Sequence, residues 1–514
     1  MEFRSIRTAF LLLALCISPG VLAADDSAYQ HKPVSIGVNK FDLFMQYTGT
    51  ASGGDGGPAY RRVTRAMARK SLDDAKDAGV TYMRVSMSGR TSFRDGDGRD
   101  SLALWLTDQE SFWKQVDEMM DDLDAHGIQI IPVMAWATGK FPAIAGEPLS
   151  EMLRDPDSES WRLLSRYITE FVTRYRKRHT VLFYELTNEL NNYADLDLVK
   201  RCKRKETCEE GDRFITADMI AYTRRMASLI RSLDRGRKIS SGFSIPRGSA
   251  EHLRARPEWT TARTDWRPDS REQFEKNLAE IHAAVDIISI HLYSGAGNRR
   301  FGSDDPLDLL AIAKNVADKL GKPLFVGEFG DPPHSDASAG RAYSLRMMDK
   351  IQELDIPYSA FWVWELYQKN TYTTHDNKHT THSLEPGYTD DTIQYLRNIN
   401  FGGKHGMGSG VVDVTPPRVV LSWPLECGML SKKNGIHAVA SDDAGAILKV
   451  EFLLDDHSLA EDDTVPFETT YTGRKLTPGK YRLTARAYDV AGNISEFSTT
   501  VVTAKGVACV LGME

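Results

Sequence analysis

Residues 180–190 read TVLFYELTNEL, and residues 322–330 read KPLFVGEFG. Each stretch is an apolar run that stops at a glutamate, Glu189 in the first and Glu328 in the second. Continuous apolar runs, unlike alternating ones, are typical of parallel strands that are buried on both faces. The two stretches therefore predict buried parallel strands that each present a carboxylate at the C-terminal end.

The same strand-then-helix unit recurs eight times between residues 34 and 402. Each apolar run is followed by an amphipathic pattern at helical spacing. Eight such units predict a (β/α)8 barrel, the α/β fold in which a cylinder of parallel strands is surrounded by helices. A doubly wound open sheet is the alternative, but it favours fewer units and a Gly-rich phosphate-binding turn, which we do not find. The predicted strands are residues 34–39, 81–87, 128–134, 181–187, 238–244, 285–293, 323–329 and 357–364.

The pattern changes after residue 402. A Gly-rich stretch at residues 403–412 predicts a linker. Residues 413–510 then form short alternating runs separated by turn residues, which predicts a small all-β, immunoglobulin-like sandwich. Two domains also suit a chain of 514 residues, which is too long for one ordinary core.

The first 23 residues have the features of a secretory signal peptide. Arg4 and Arg7 precede an apolar run, and an A-x-A-like cleavage site ends near Ala23. The run is too short to span a bilayer. We therefore expect an exported protein, periplasmic or secreted, without a membrane span. A net charge of −7 over 514 residues gives no reason to expect a nucleic-acid partner.

Four cysteines remain once the predicted signal peptide is excluded. In an oxidising compartment their spacing favours two disulfides, one within each predicted domain, Cys202–Cys208 and Cys427–Cys509. Zinc is the alternative, but the spacings do not fit a zinc site and no histidine is near.

Two further polar clusters raise the question of a metal ion. The histidines of the first cluster follow the eighth predicted strand, where a solvated loop is the simpler interpretation; they are His375, His379 and His382. Asp95, Asp97 and Asp100 resemble part of a calcium loop, but the distal bidentate glutamate is not in place. We predict neither a metal nor a cofactor.

Polar and aromatic residues at the ends of the predicted strands are the candidate site residues, because active sites of such barrels lie at that rim. They are Asn39, Arg84, Trp136, Asn188, Glu189, His291, Tyr293, Glu328, Trp362 and Trp364. Two glutamates at one rim suit cleavage of a glycosidic bond. One carboxyl group must protonate the leaving oxygen while the other attacks or activates water.

The chain resembles the clan A glycoside hydrolases, and most closely glycoside hydrolase family 5, the cellulases and mannanases. The resemblance spans essentially the whole predicted barrel, and Trp136 departs from it, because many members have a histidine near that strand end. The C-terminal part resembles bacterial immunoglobulin-like modules. The matching barrel segments are GVN (37–39), YMRVS (82–86), TNEL (187–190), IHLY (290–293), VGEFG (326–330) and FWVWE (361–365).

The resemblance implies a retaining reaction with Glu189 as general acid/base and Glu328 as nucleophile. The two carboxyl groups should then lie about 5–5.5 Å apart, and the pKa of Glu189 should exceed that of Glu328. Arg84 and Tyr293 would keep Glu328 ionised. Asn188 would bind the sugar 2-hydroxyl group, and Trp364, or Trp362 on the same face, would stack against a sugar ring.

We therefore expect a retaining β-glycosidase that acts on a polysaccharide of the β-glucan or β-mannan type. The resemblance and the long loops at residues 190–212 and 244–270 favour endo action. One alternative is an exo-acting or exopolysaccharide-cleaving clan A hydrolase. An alternative of another class is a catalytically silent surface protein that binds glycans.

Overall fold

The computed structural model describes a defined part of the chain; for residues 337–340 and 390–391 it describes the backbone alone. Five predicted features lie outside this part and stay predictions: the signal peptide, the linker, the Cys202–Cys208 disulfide and the two clusters considered for metal binding. The described residues are 34–49, 65–89, 101–201, 209–294, 301, 305–330, 337–365, 383–384, 389–401, 416–431, 435–442, 447–463, 467–472, 476–489, 493–504, 507 and 509.

Eight parallel strands form one sheet in the order β5-β4-β3-β2-β1-β8-β7-β6. The sheet curls until its edges meet at a parallel bridge between Ser240 and Ile287. This confirms the predicted barrel, although the fifth strand, predicted over residues 238–244, has only two residues. The strands are β1 (Gly37–Asn39), β2 (Tyr82–Ser86), β3 (Gln129–Ala135), β4 (Tyr184–Thr187), β5 (Ile239–Ser240), β6 (Ile288–Tyr293), β7 (Leu324–Gly330) and β8 (Tyr358–Phe361).

Helices cover the barrel between successive strands. Their apolar sides face the strands, as in α7, where Leu164, Ile168 and Phe171 are fully buried. The helices are α1 (Leu43–Tyr47), α2 (Arg65–Asp77), α3 (Ser101–Thr107), α4 (Gln109–His126), α5 (Lys140–Ala145), α6 (Leu149–Arg154), α7 (Glu159–Tyr175), α8 (Leu198–Arg201), α9 (Thr216–Leu233), α10 (Ala250–Ala255), α11 (Arg271–Ile281), α12 (Pro306–Lys319), α13 (Ala337–Glu353) and α14 (Asp390–Asn400).

An apolar layer fills the barrel interior below the strand ends. It consists of Tyr82, Ile131, Phe183, Ile287, Phe325 and Ala360. The Tyr82 hydroxyl is the polar side-chain group of this layer. It donates to the carbonyl oxygen of Ser359 at 2.8 Å and is therefore satisfied. Side chains alternate along a strand, and three of the next inward positions above this layer are buried polar residues, Arg84, Glu185 and Ser289. The barrel is therefore a packed core with a polar floor at its C-terminal end.

The C-terminal part consists of two packed sheets, in the orders β10-β16-β15-β12-β13 and β14-β11-β9. All pairs are antiparallel except β10 with β16. Cys427 and Cys509 form a disulfide, as the spacing predicts. The sandwich prediction is confirmed. Its strands are β9 (Arg418–Trp423), β10 (Gly428–Met429), β11 (Gly435–Ser441), β12 (Ile447–Leu454), β13 (His457–Asp462), β14 (Phe467–Thr470), β15 (Lys480–Asp489) and β16 (Ile494–Val502).

In the described part of the chain, no helix combines the length and the apolar character that crossing a bilayer requires.

Candidate active site

Arg84 is the central cation of the site. It lies on β2, is completely enclosed, and reaches four side chains. Its Nε donates to Glu185 Oε1 at 2.6 Å, and its Nη1 donates to Glu328 Oε1 at 2.7 Å. Nη1 also donates to Asn39 Oδ1 at 3.1 Å, and Nη2 to Asn188 Oδ1 at 2.7 Å. Burial alone would lower the pKa of Arg84, but the charges of Glu185 and Glu328 raise it, so the guanidinium stays charged.

Glu328 reaches the site through an irregularity in β7. Strand β6 pairs Ile290 with Val326 but His291 with Glu328, so the register shifts by one residue at Gly327. The pairing of β7 with β8 shifts in the same segment. Regular alternation from Phe325 in the interior layer would aim Gly327 inward and Glu328 outward. The extra residue therefore brings the carboxylate to the inner face, as β-bulges do next to active sites.

Both oxygens of Glu328 are held. Oε1 accepts from Arg84, and Oε2 accepts from the Tyr293 hydroxyl at 2.8 Å. The side chain is 7% exposed. These contacts fix the carboxylate in one orientation with little room for water.

Glu189 follows β4 in a left-handed conformation, with φ of 52°. Its backbone N–H donates to the carbonyl oxygen of Gly242 at 2.7 Å. Gly242 has a φ of 75°, and a Cβ there would lie 1.7 Å from the carbonyl oxygen of Thr187, so only glycine fits. The Glu189 side chain is 28% exposed, and its Oε1 lies 2.9 Å from His291 Nδ1.

Glu189, His291 and Glu328 form one cluster, because one ligand atom from each lies within 4.8 Å of the others. His291 Nε2 is buried and has no hydrogen-bond partner among the described residues. A protonated imidazole would leave an N–H unpaired there, which costs about 1–3 kcal/mol. This favours a neutral ring whose Nδ1–H donates to Glu189.

The pKa values of the two glutamates shift in opposite directions. Burial raises the pKa of Glu328 above its usual range, although His291 and Arg84 oppose that effect. Burial also raises the pKa of Glu189, but the hydrogen bond from His291, the positive charge that this imidazole has when it is protonated, and the charge of Arg84 outweigh it and leave the pKa lowered. With a protonated His291, the order of the two pKa values in the free protein is opposite to the one predicted from the sequence; the neutral ring favoured by the unpaired Nε2 removes part of the effect that lowers the pKa of Glu189. The deeper enclosure of Glu328, whose side chain is 7% exposed against 28% for Glu189, is the reason that its pKa is raised.

Three aromatic rings form a wall beside the carboxylates. Phe41 stacks on Trp362 with ring centroids 5.2 Å apart and planes 9° apart, and on Trp136 at 5.5 Å. Trp136 and Trp362 are 6.0 Å apart, and the Arg84 guanidinium lies 4.6 Å from the Trp136 ring. The wall is apolar, next to a polar carboxylate pair, which is the composition expected of a small-molecule site.

Comparison with known proteins matches the barrel to a family. The sequence profile described as Cellulase (glycosyl hydrolase family 5) matches residues 48–368, more than half of the chain. The chain belongs to glycosyl hydrolase family 5. This family 5 protein is a glycosidase, and its residues 417–485 match a second profile, described as Bacterial Ig domain. No curated protein matches the chain.

Solved structures share the fold of this family 5 protein. An endo-β-1,4-mannanase from Thermotoga petrophila has 15% identity and a TM-score of 0.50, over 92% of this chain and 99% of that chain. A glycoside hydrolase family 5 mannosidase from Rhizomucor miehei has 14% identity and a TM-score of 0.49, over 72% and 93%. At 15% identity, the likeness to the Thermotoga petrophila structure concerns the fold alone.

Trp364 does not join the wall. Its side chain is fully buried, and its indole Nε1 donates to the carbonyl oxygen of Ser71 in α2 at 3.2 Å. The expectation that Trp362 and Trp364 share a face assumed a strand that continues through both. However, β8 ends at Phe361, so strand alternation does not apply beyond it. The other candidates, Asn39, Arg84, Trp136, Asn188, Glu189, His291, Tyr293, Glu328 and Trp362, meet at this rim of the family 5 barrel.

Two residues of the site were missed. Glu185 is fully buried on β4 and accepts from both Arg84 and Ser240 Oγ, the latter at 3.1 Å. A lone acidic residue within the apolar run at 181–187 was the available signal. Phe41 lies two residues after β1, and a single phenylalanine gives no comparable signal.

Among the described barrel residues, the ligand atoms of Glu189, His291 and Glu328 lie close enough together to surround a metal ion. The Arg84 guanidinium, however, already donates to Glu328 and adds a fixed positive charge beside it. That charge opposes a second cation at the same carboxylate.

Proposed function

We propose that this glycosidase cleaves a β-linked polysaccharide internally, with retention of anomeric configuration. The observation that carries the proposal is the spacing of the two carboxyl groups, an oxygen of each lying within 4.8 Å of the other. A retaining reaction uses carboxyl groups about 5–5.5 Å apart, whereas an inverting one needs about 6.5–9.5 Å to fit a water molecule.

The environments of the two glutamates support different roles. Glu328 is oriented through both oxygens, which suits a nucleophile that must meet the anomeric carbon at one angle. Glu189 is more exposed, 28% against 7%, which suits a group that meets first the leaving oxygen and then water.

In the first step, a Glu328 oxygen forms a bond to the anomeric carbon while the glycosidic bond breaks. Its electron pair goes to the leaving oxygen, which takes the proton of Glu189. In the second step, Glu189 accepts a proton from water, and the hydroxyl oxygen displaces Glu328. The proton returns to Glu189, and both carboxyl groups are restored.

Substrate binding supplies the protonation state that this reaction needs. A sugar that covers Glu189 removes water from its exposed part, and desolvation raises the pKa of a carboxyl group. A neutral His291 stabilises the anion of Glu189 less than an imidazolium would. We therefore propose that the order of the two pKa values reverses in the complex, with the proton on Glu189.

Contacts around the carboxylates support a sugar site. Asn188 Oδ1 is taken by Arg84, so its Nδ2 group is the part that can donate to a sugar hydroxyl. Trp362, the partly exposed member of the wall, can cover the apolar face of a ring, while Phe41 and Trp136 are buried and support it by stacking. These are proposed roles, as are those of Asn39, His291 and Tyr293 in holding the carboxylates.

β-1,4-Mannan is the first substrate to test, because the Thermotoga petrophila structure that spans 92% of this chain is an endo-β-1,4-mannanase. Exo action, an exopolysaccharide substrate and silent glycan binding are the competing proposals. Export through residues 1–23 is a separate proposal, for which the mature N-terminus of the natural protein should begin near residue 24.

The test compares the wild type with Glu328→Gln on soluble β-mannan, β-glucan and xyloglucan, with resolved product lengths. Glu353→Gln, at an exposed ion pair on α13, is the matched control. We expect cleavage of one glycan into mixed oligosaccharides by wild type and control, a β-anomer as first product by NMR, and loss of activity in Glu328→Gln. Activity that survives in Glu328→Gln, or an initial α-anomer, would contradict the proposal.

A further inference from the structure

Residues 241–246 are buried although they have no regular secondary structure. They follow β5, which has only two residues, and they are hydrogen-bonded to β6 on one side and to the chain that follows β4 on the other. Buried backbone N–H and C=O groups need hydrogen-bond partners, and this segment has no regular ladder to supply them. The partners that it has instead show what the 241–246 segment supports.

One side of the 241–246 segment bonds to β6. The Phe243 N–H donates to Ser289 Oγ at 2.8 Å. The Ile245 N–H donates to the carbonyl oxygen of His291 at 3.4 Å. The segment is therefore fastened to the strand whose imidazole lies 2.9 Å from the carboxylate of the proposed acid/base.

The other side of the segment bonds to the chain around the proposed acid/base. The Glu189 N–H donates to the carbonyl oxygen of Gly242 at 2.7 Å. Two residues after Glu189, Asn191 Oδ1 accepts from the Ser244 N–H at 2.9 Å, and Asn191 Nδ2 donates to the Ser244 carbonyl oxygen at 2.8 Å. Because an amide side chain has a donor and an acceptor, as a peptide group has, it can continue the pairing where the backbone has turned away.

Asn191 is itself held in place. The Arg247 Nη2 group donates to the carbonyl oxygen of Asn191 at 3.1 Å and also to that of Asn192. The turn before them begins at Glu189, whose φ of 52° is left-handed. Such a conformation persists in a residue other than glycine only where the surroundings enforce it. Hydrogen bonds on both sides of the turn, at Gly242 and at Asn191, enforce it here.

Ser244 accompanies the Glu189 carboxylate. The residue is buried, at 9% exposure, and the amide of Asn191 fixes its backbone on both the N–H and the carbonyl side. Burial raises the pKa of Glu189, and the effects that lower it include hydrogen bonds from His291 and from the Ser244 side chain. The Glu189 anion therefore has a hydroxyl donor in addition to the imidazole.

We propose that Asn191 is a positioning residue for the acid/base, and that its amide holds the Ser244 hydroxyl where it donates to the Glu189 carboxylate. This inference rests on the proposed function, which gives Glu189 its role. Two donors fix the plane of the carboxyl group, so that its proton faces the leaving oxygen within hydrogen-bond reach. Without the hydroxyl, the carboxyl group rotates more freely and its anion loses a hydrogen bond.

The first test compares Asn191→Ala and Ser244→Ala with the wild type on two aryl glycosides of the sugar that the wild type releases. For a weakly acidic phenol, which needs a proton to leave, kcat/KM should fall about tenfold, the loss of one orienting hydrogen bond. For a strongly acidic phenol, which leaves without a proton, it should change little, whereas a general loss of structure would lower both values equally. Ser244→Thr keeps a hydroxyl and should recover most of the loss. Ser165→Ala, whose Oγ donates to a backbone oxygen on α7, should have no effect.

The pH profile gives a second readout. Without the hydroxyl, the Glu189 anion is less stable, so the pKa of Glu189 rises and the alkaline limb of kcat/KM should move to higher pH. Adding Asn191→Ala to Ser244→Ala should move the limb no further, because the amide acts through the hydroxyl. Other titratable or charged groups face Glu189 in the described part of the chain, and these variants leave them in place. They are Arg84 on β2, His291 and Tyr293 on β6, Glu328 on β7 and Tyr193 on the loop after β4.

Carbon-13 NMR of the Glu189 carboxyl group tests the support without turnover, with Glu189→Gln to assign its signal. In Ser244→Ala, which keeps both backbone hydrogen bonds to Asn191, the titration of this signal should move to higher pH. That result in a protein that cleaves no glycan would support the positioning role and contradict the proposed function. A titration that does not move in Ser244→Ala would overturn the positioning role alone, whatever the activity of the variant.

Discussion

Arg84 Nη1 and Glu328 Oε1 are 2.7 Å apart, and the two side chains are almost completely enclosed. The same guanidinium also donates hydrogen bonds to Glu185, Asn188 and Asn39. A flat group with five N–H donors can do this, whereas an ammonium cannot. The position of the proposed nucleophile thus depends on one cation that is also the counter-ion of a second buried carboxylate.

Arg84→Met should lower the free energy of unfolding by about 3–5 kcal/mol, because it leaves two buried carboxylates without a cation. Arg84→Lys should lose less stability but still lower kcat by about 10², because one ammonium cannot orient Glu328 and bind Glu185 together. Urea unfolding and steady-state kinetics measure both effects. Arg69→Met removes an exposed, solvent-screened partner of Asp122 and should lower the free energy of unfolding much less than Arg84→Met does. Equal stability of the two methionine variants would contradict this account.

Tyr293→Phe should move the acid limb of the kcat/KM profile to higher pH. The Tyr293 hydroxyl donates to Glu328, and this hydrogen bond lowers the pKa of Glu328 against the larger effect of burial. Without it, the pKa of Glu328 rises further, and the nucleophile protonates earlier as pH falls. Tyr343→Phe is the matched control, since the Tyr343 hydroxyl donates to the backbone oxygen of Leu292 at 3.0 Å. A limb that stays in place, or moves equally in both variants, would rule out this role.

His282 should make the fold sensitive to mild acid. Burial lowers the pKa of this imidazole from 6.5 to about 4. Its contribution to stability is therefore complete above pH 6.5 and is lost as pH falls towards 4. Over this range the free energy of unfolding should decrease by about 3 kcal/mol. His282→Gln should be less stable than the wild type at pH 7, and urea unfolding should show the difference shrinking by pH 4. A difference that does not depend on pH would show that His282 does not titrate in this way.

Replacing Cys427 and Cys509 with serine should destabilise the sandwich. The bond closes a segment of 82 residues, and a loop of this length contributes about 4 kcal/mol by restricting the unfolded chain. Hydrogen exchange of the intact protein should become faster in β12, β15 and β16 of the variant, while the barrel strands keep their protection. Unchanged exchange in the sandwich would mean that its packing alone maintains it.

Apolar runs and helical periodicity were sufficient to predict the eight barrel units, because burial on both faces constrains every parallel strand. They also located the strand ends. Of the ten candidate residues chosen there, nine meet at the rim. Glu328 was found by its position at the end of a run, although its inward direction depends on the register shift at Gly327, which alternation does not predict. The prediction that Trp364 lies at the rim was wrong because β8 ends three residues before it, so alternation along the strand does not give the direction of its side chain.

Asn39 connects the site to the central strands of the barrel sheet. Its Nδ2 donates to the carbonyl oxygens of Gly327 at 2.8 Å and Ala360 at 3.0 Å, while its Oδ1 accepts from Arg84. Its own carbonyl oxygen accepts from the Trp364 N–H. One side chain thus joins β1 to β2, β7 and β8, so the carboxylate pair cannot loosen without opening the cylinder. On heating, catalysis and the barrel should disappear in a single cooperative transition, with no earlier melting confined to the site.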